Sequence, residues 1–294
     1  MAAITAQSIK QLRDKTNAGM MDCKAALTEA GGDLEAAETL LRKKGIAAAG
    51  KKASREVKEG IIDAYIGSEE RVGALVEINC ETDFVAKNEN FTSFSAAVAE
   101  HAAKHGAGID SVEGLLATSF GDATLEESIK AKIAELGENL VLKRFSRFAI
   151  PEGTEGGIGK YIHLAGKVGV LVEVACEKAD SAKSDAFHGV VKDITLQIAA
   201  AHPLCVSREE VDPALVATEK EVFAEQVKGK PDNIVEKIVA GKLDKYYSTV
   251  ALLEQGYIKD PDTTIAELLA ATGKDLDDNL VVRRFTRYAV GEVV

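Results

Sequence analysis

Apolar positions along this chain switch between two spacings, and the switches divide it into segments. Residues 5–45 carry apolar side chains at helical spacing in three short runs. Ile9 and Leu12 mark one side of a first helix, which Thr5 is placed to cap. Cys23, Ala26 and Leu27 mark a second, from about Asp22 to Ala30, ended by Gly31-Gly32. Asp33 caps a third, with Leu34, Ala37, Leu40 and Leu41 inward, Lys43 and Lys44 near its C-terminus and Gly45 as a left-handed stop. Residues 46–58 are small and basic without an apolar face, and read as a partly helical linker. From Gly60 the period becomes two: IIDAYIG, a polar turn and RVGALVEINC predict an antiparallel hairpin, half-buried, with Val72, Ala74, Val76 and Ile78 on one face. A helix with Phe91, Phe94 and Val98 in one stripe follows, then a second helix, LEESIKAKIAEL, and a closing strand, LVLKRFSRFAI.

That unit occurs twice. Tyr65 and Tyr161, Val72-Gly73 and Val168-Gly169, Cys80 and Cys176, and Phe91 and Phe187 all stand 96 residues apart. The closing strand returns as LVVRRFTRYAV after 140 residues, so the second copy holds an insertion of 44 residues between its helix and its last strand. The fold class expected is α+β, with a duplicated core of two small antiparallel sheets, each with helices on one face. The domains expected are a three-helix module and linker at 1–55, a first core half at 56–150 and a second at 151–294. The insertion occupies about 203–261. Within it Asp212-Pro213 starts a helix lined by Leu215, Val222, Phe223 and Val227. GKPDN breaks that helix, and Asp232 caps another carrying Ile234, Val235, Ile238, Val239 and Leu243. At ~1.5 Å per residue, helices of about sixteen residues make an arm projecting about 24 Å.

Composition narrows the function. An apolar fraction of 46% with 28% charged residues suits a soluble globular protein. No apolar run approaches the roughly 18 residues of a membrane span, and the N-terminus lacks the apolar block of an export signal, so a cytoplasmic location and no membrane partner are expected. The net charge of −11 argues against nucleic acid as a direct partner. It is unevenly spread, because residues 1–55 hold ten Lys/Arg against six Asp/Glu. Cys23, Cys80, Cys176 and Cys205 are scattered without a C-x-x-C pair, and read as free thiols, not as a disulfide or zinc framework.

Catalytic templates do not match. No G-x-x-x-x-G-K-[ST] occurs, and GTEGGIG at 153–159 precedes a strand, which reads as a turn instead of a dinucleotide fingerprint. His101 and His105 have the four-residue spacing of a metal pair but no H-E-x-x-H around them, and they continue the Phe91–Phe94–Val98 stripe. No catalytic residue, metal site or cofactor is therefore expected. His163, near a hairpin turn, is the histidine best placed to face a partner.

Two features stand out. Met20 and Met21 adjoin a turn between helices, where they either form a contact surface or pack beneath a small module. Thr82-Asp83-Phe84-Val85 follows a strand and precedes a helix. Alone, it admits Phe84 as core and Asp83 as a helix cap. The second copy keeps the framework but places Lys178, Ala179, Asp180 and Ser181 there, which favours a role confined to one half.

LRDKTNAGMMDCKAALTEAGGDLEAAETLLRKKG and VEINCETDFVAKNENF together resemble the bacterial elongation factor Ts family, and the resemblance covers the entire chain. Asn17 stands where that family usually has Gly; Asn tolerates a left-handed turn. The resemblance implies a guanine-nucleotide exchange factor for elongation factor Tu, with a UBA-like N-terminal domain and a coiled-coil arm. It implies that Thr82, Asp83, Phe84 and Val85 intrude into the GTPase domain and dislodge its Mg²⁺. Arg13, Met20 and Met21 would dock on the same domain, His163 on the partner's third domain, and the arm at 212–243 on the GTPase domain from another side. Two other classes compete on the residues alone: a plain interaction module, and a metal-assisted enzyme using His101 and His105.

Overall fold

The computed structural model describes residues 4–16, 18–229 and 231–292; Asn17 lies outside them. The chain falls into two compact units, one of residues 1–62, 76–145 and 290–294, the other of residues 63–75 and 146–289. It is a mixed α+β protein, with two three-stranded sheets among the described residues.

The chain starts with helices α1 (Ala6–Thr16), α2 (Met20–Glu29) and α3 (Leu34–Lys52), closed over a core of Leu12, Cys23, Ala26, Leu27 and Ala37. Thr5 Oγ1 accepts from the Ser8 N–H at 3.1 Å, and Asp33 Oδ1 accepts from Glu35 and Ala36, so both caps form where expected. Gly45 does not stop α3. The run Ala47–Ala49 favours helix strongly, and α3 continues to Lys52, placing Lys51 and Lys52 in its last turn instead of Lys43 and Lys44. A Cβ at Gly45 would lie 3.1 Å from the Ala134 Cβ, so the glycine permits close packing instead.

Next come strands β1 (Glu59–Ile66) and β2 (Val72–Cys80), helices α4 (Asp83–Ala86), α5 (Glu89–His105) and α6 (Val112–Leu116), and a two-residue ladder of β3 (Ser119–Phe120) with β4 (Ala123–Thr124). Helix α7 (Leu125–Leu136) opens with a capping box of Thr124 and Glu127, and β5 (Leu140–Ala149) completes the first sheet in the order β1-β2-β5. Helix α3 packs along α7, with Arg42 and Glu127 paired at 2.9 Å.

Strand β2 is not half-buried. Every residue from Gly73 to Cys80 is buried, including Glu77 and Asn79. Two contacts account for the second face. A Cβ at Gly73 would lie 2.9 Å from Ile158, and Glu77 accepts from Arg144 Nε at 2.6 Å.

The second copy runs β6 (Glu155–His163), β7 (Val168–Cys176), α8 (Ala179–Ala182) and α9 (Asp185–Ala201). The inserted α10 (Pro213–Gln226) and α11 (Asp232–Val250) come next, followed by the small β8 (Gly256–Tyr257) and β9 (Asp260–Thr264). Helix α12 (Ile265–Asp275) and β10 (Val281–Ala289) end it, with sheet order β10-β7-β6, antiparallel throughout. Helix α12 opens with the same capping box, Thr264 with Glu267, and Glu173 pairs with Arg284 as Glu77 does with Arg144. GTEGGIG is turn only at its start, since β6 begins at Glu155. Its later glycines bring helix α9 down onto the strand: a Cβ at Gly157 would lie 2.8 Å from the Phe187 ring, and one at Gly159 2.3 Å from Val191.

Helices α10 and α11 pack through Val216, Phe223, Ala224, Val227, Val235, Ile238, Val239, Leu243 and Tyr247. Leu215, Val222 and Ile234 point outward instead, because the packed stripe follows Val216 and Phe223. Asp212 caps α10, whereas α11 begins at Asp232 with Pro231 in its cap position. The stem is closed by backbone bonds: Leu204 donates to Val250, Leu252 to Cys205 and Leu253 to Val206. Beside it Arg208 forks onto both oxygens of Glu254 at 2.6 Å and stacks on Tyr247. After the stem, Leu252–Glu254 stands where α6 stands in the first copy, so the inserted helices end at Val250.

Candidate functional site

The site begins at Cys80, where β2 ends. Thr82 is extended (φ −127°, ψ 157°), and its Oγ1 accepts from the Val85 N–H, starting the one-turn helix α4. Four residues are too few to hold a helix by themselves, so the anchors beneath α4 set its direction. Glu138 Oε2 accepts from the Glu81 and Thr82 N–H groups at 3.1 and 3.0 Å, and Glu138 Oε1 accepts from Thr82 Oγ1 at 2.6 Å. The Cys80 thiol donates to the Thr82 carbonyl, and Ala86 is buried under the turn.

Above these anchors Phe84 is 82% exposed. Leaving a phenylalanine in water forgoes about 1.5–3 kcal/mol of burial, so stability does not account for it. Asp83 is no cap: that position is Thr82, and Asp83 pairs with Lys87 at 2.6 Å one turn on. The hydrogen bond and the charge from Asp83 raise the Lys87 ammonium above its ordinary range. Val85 is half-buried.

The second copy reproduces the scaffold without the aromatic. Asp278 accepts from the Glu177 and Lys178 N–H groups at 2.9 and 3.0 Å, and the Cys176 thiol donates to the Lys178 carbonyl. Burial pushes the Asp278 carboxyl up, but the bonds from Ser181 and from the Glu177, Asn279 and Lys178 backbone outweigh it and hold the group at about 2. Lys178, at the cap position of α8, makes no side-chain cap and reaches Asp277 instead. Asp180 stands where Phe84 stands in the first copy.

The remaining candidates lie elsewhere. Met20 and Met21 open α2 at 59% and 76% exposure, so neither packs beneath the helical cluster, and Arg13 is exposed on α1. His163 ends β6, stacked on Tyr161 with Nδ1 2.9 Å from the Tyr161 hydroxyl. The next three residues all have positive φ (Leu164 48°, Ala165 50°, Gly166 92°), and Leu164 is 66% exposed. Left-handed conformations at two non-glycine residues cost roughly 1–2 kcal/mol each, so the tip that presents Leu164 is strained.

His101 and His105 stack at 4.7 Å, but His101 is buried, with Nε2 2.6 Å from Thr118 Oγ1 and its ring against Phe120. Burial, then the neighbouring His105, lower its pKa. Among the described residues no three His, Cys, Asp or Glu side chains group as a metal site, and no helix is long and apolar enough to cross a membrane. The cysteines are free thiols, three of them buried.

Sequence reasoning missed Glu138 and Leu164. A signal for Glu138 existed: LGENLVLKRF and LDDNLVVRRF each set an acid before Asn-Leu-Val. Leu164 had none, because its exposure follows from tip geometry.

The family model described as elongation factor TS matches residues 81–292, which include α4, both carboxylate anchors, the His163 tip and the inserted helices. The chain belongs to the elongation factor Ts family. It is 46% identical over 292 residues to Elongation factor Ts of Clostridium botulinum (strain Eklund 17B / Type B), covering 98% of this chain and 93% of that protein. With Elongation factor Ts of Trichlorobacter lovleyi (strain ATCC BAA-1151 / DSM 17278 / SZ) the identity is 44% over 295 residues, 99% of this chain and 93% of that one. For Nitratidesulfovibrio vulgaris (strain DP4) it is 44% over 292 residues, 99% and 96%. These elongation factor Ts relatives extend the match across α1–α3, which lie before the family model begins.

Proposed function

We propose that this chain is a guanine-nucleotide exchange factor: it binds elongation factor Tu carrying GDP, dislodges the partner's Mg²⁺ and speeds GDP release so that GTP can rebind. The observation that carries the reading is Phe84, an exposed aromatic on an anchored turn whose scaffold recurs in the other half without it. Mg²⁺ bridges nucleotide phosphates and protein oxygens, so displacing it removes the strongest local attraction for GDP. Phe84 acts as an apolar wedge, with Thr82, Asp83 and Val85 shaping its approach near the partner's switch region.

The factor binds the empty GTPase better than the loaded one, and by linkage it weakens nucleotide affinity by the factor that nucleotide weakens its own. That needs no catalytic residue, cofactor, nucleic acid or membrane in this chain, which works in the cytoplasm. The helical cluster at 1–55 is read as a UBA-like module docking on the GTPase domain through Arg13, Met20 and Met21. In the second core half, His163 meets the partner's third domain. The inserted helices form a coiled-coil arm toward the GTPase domain.

The test is release of fluorescent GDP from elongation factor Tu with the wild-type chain and Phe84→Ala. The variant is expected to lose most of the acceleration while still binding, with its own stability within ~0.5 kcal/mol of wild type because the side chain is exposed. A wild-type chain that leaves GDP release unchanged refutes the reading and points to a plain interaction module.

A further inference from the structure

We infer that Glu138 is a positioning residue for the exchange reaction, holding the root of α4 so that Phe84 projects in one direction; this rests on the exchange-factor reading above. Its carboxylate takes three donors, the N–H groups of Glu81 and Thr82 and the Thr82 hydroxyl. Bonds to an ionised acceptor are roughly twice as strong as neutral ones, which makes this the firmest anchor of a single-turn helix.

The anchor is itself held on both sides. Before Glu138, Gly137 ends α7 with φ 82°, and its carbonyl accepts from Lys52 Nζ at 2.7 Å. After it, buried Asn139 donates its backbone N–H to Glu81 Oε1 at 2.6 Å and its side-chain amide to the Arg55 and Ala53 carbonyls. Glu81 is thus gripped twice, through its N–H by Glu138 and through its carboxylate by the Asn139 N–H. A carboxylate fixed in this way cannot follow a swinging α4; it resists the swing.

The second copy separates this role from general scaffolding. Asp278 bonds the two equivalent N–H groups, but it takes Ser181 where Glu138 takes Thr82, and no aromatic rises above it. Removing each carboxylate therefore removes a matching clamp, and only one of the two clamps lies under a wedge.

The experiment measures GDP release from elongation factor Tu against factor concentration, with Glu138→Ala, Glu138→Gln and Asp278→Ala. A misplacement of about 1 Å costs about 100-fold in a positioned reaction, so Glu138→Ala is expected to lower the maximal rate about 10- to 100-fold with the half-saturating concentration within about threefold. Glu138→Gln keeps one carbonyl acceptor and recovers part of that rate. Asp278→Ala leaves the maximal rate at the wild-type value. In the free proteins, amide hydrogen exchange at Glu81 and Thr82 quickens in Glu138→Ala, and at Glu177 and Lys178 in Asp278→Ala. A wild-type maximal rate in Glu138→Ala overturns the inference alone, as does an equal loss in Asp278→Ala. A wild-type chain that does not accelerate release overturns the exchange reading and this one together.

Discussion

Glu77 and Glu173 are the same residue of the repeat in different surroundings, and replacing each with alanine tests how burial sets the worth of an ion pair. The Glu77 side chain is 0% exposed and Arg144 15%, with Nε at 2.6 Å. Glu173 is 8% exposed, but its partner Arg284 is 48% exposed and lies over the Phe148 ring. Removing one member of a buried pair costs about 3–5 kcal/mol because the other charge is left without a counterion. Arg144 retains Glu292 at 3.2 Å, which places Glu77→Ala at the lower end, about 3 kcal/mol. Arg284 can turn to water, and its loss is that of a surface pair, about 1 kcal/mol or less. For chains of this size about 2–4 °C follows from each kcal/mol, so Glu77→Ala is expected to lower the melting temperature about 6–12 °C and Glu173→Ala at most about 2–4 °C. Scanning calorimetry measures both, with each transition fitted separately, since two compact units need not melt together. Equal shifts, or a Glu77→Ala shift below that of Glu173→Ala, would refute the argument that burial sets the cost.

Gly159→Ala forces a methyl to within 2.3 Å of Val191 and is expected to destabilise by about 1–3 kcal/mol in urea unfolding, with partial recovery on adding Val191→Ala. Asp278 has a folded pKa of about 2 against an ordinary 3.8, so the stability it contributes is present above about pH 4 and lost as pH falls toward 2. Asp278→Asn should flatten the fall in stability over that window, which acid titration followed by circular dichroism would show. Leu164→Ser should leave the melting temperature unchanged while weakening binding to elongation factor Tu about tenfold, or about 1.4 kcal/mol, in titration calorimetry; unchanged affinity removes the tip from the interface.

Local signals that agree with their surroundings were legible. The caps Thr5, Asp33 and Asp212 sit where their side chains find free N–H groups. The repeat carried both sheets, because matching strands keep the same spacing of apolar residues. Distant partners overrode the rest. Gly45 has the local form of a helix stop, but an alanine-rich run carries α3 past it and Ala134 occupies the space its side chain would need. Alternation in β2 predicts one dry face, and nothing nearby reveals that Arg144, 67 positions on, lets Glu77 be buried on the other. Of the four residues whose spacing predicts the packed side of α10, Phe223 and Val227 do pack, whereas Leu215 and Val222 are exposed and Val216 turns inward. At the site, Phe84 showed through the contrast between repeats, whereas Glu138 acts across 56 residues on Thr82.

The closed stem of the inserted helices bears on how this architecture can vary. Where they leave and rejoin the second half, Leu204–Val206 and Val250–Leu253 are stitched by their own backbones, so the two ends stay together whatever lies between them. The stem behaves as a socket: length can be gained or lost beyond it without shifting any strand register, and a short loop could span it, as residues 106–111 do at the corresponding place in the first copy. The length of the inserted helices is thus a quantity that descent or engineering can tune separately from the sheets and from α4.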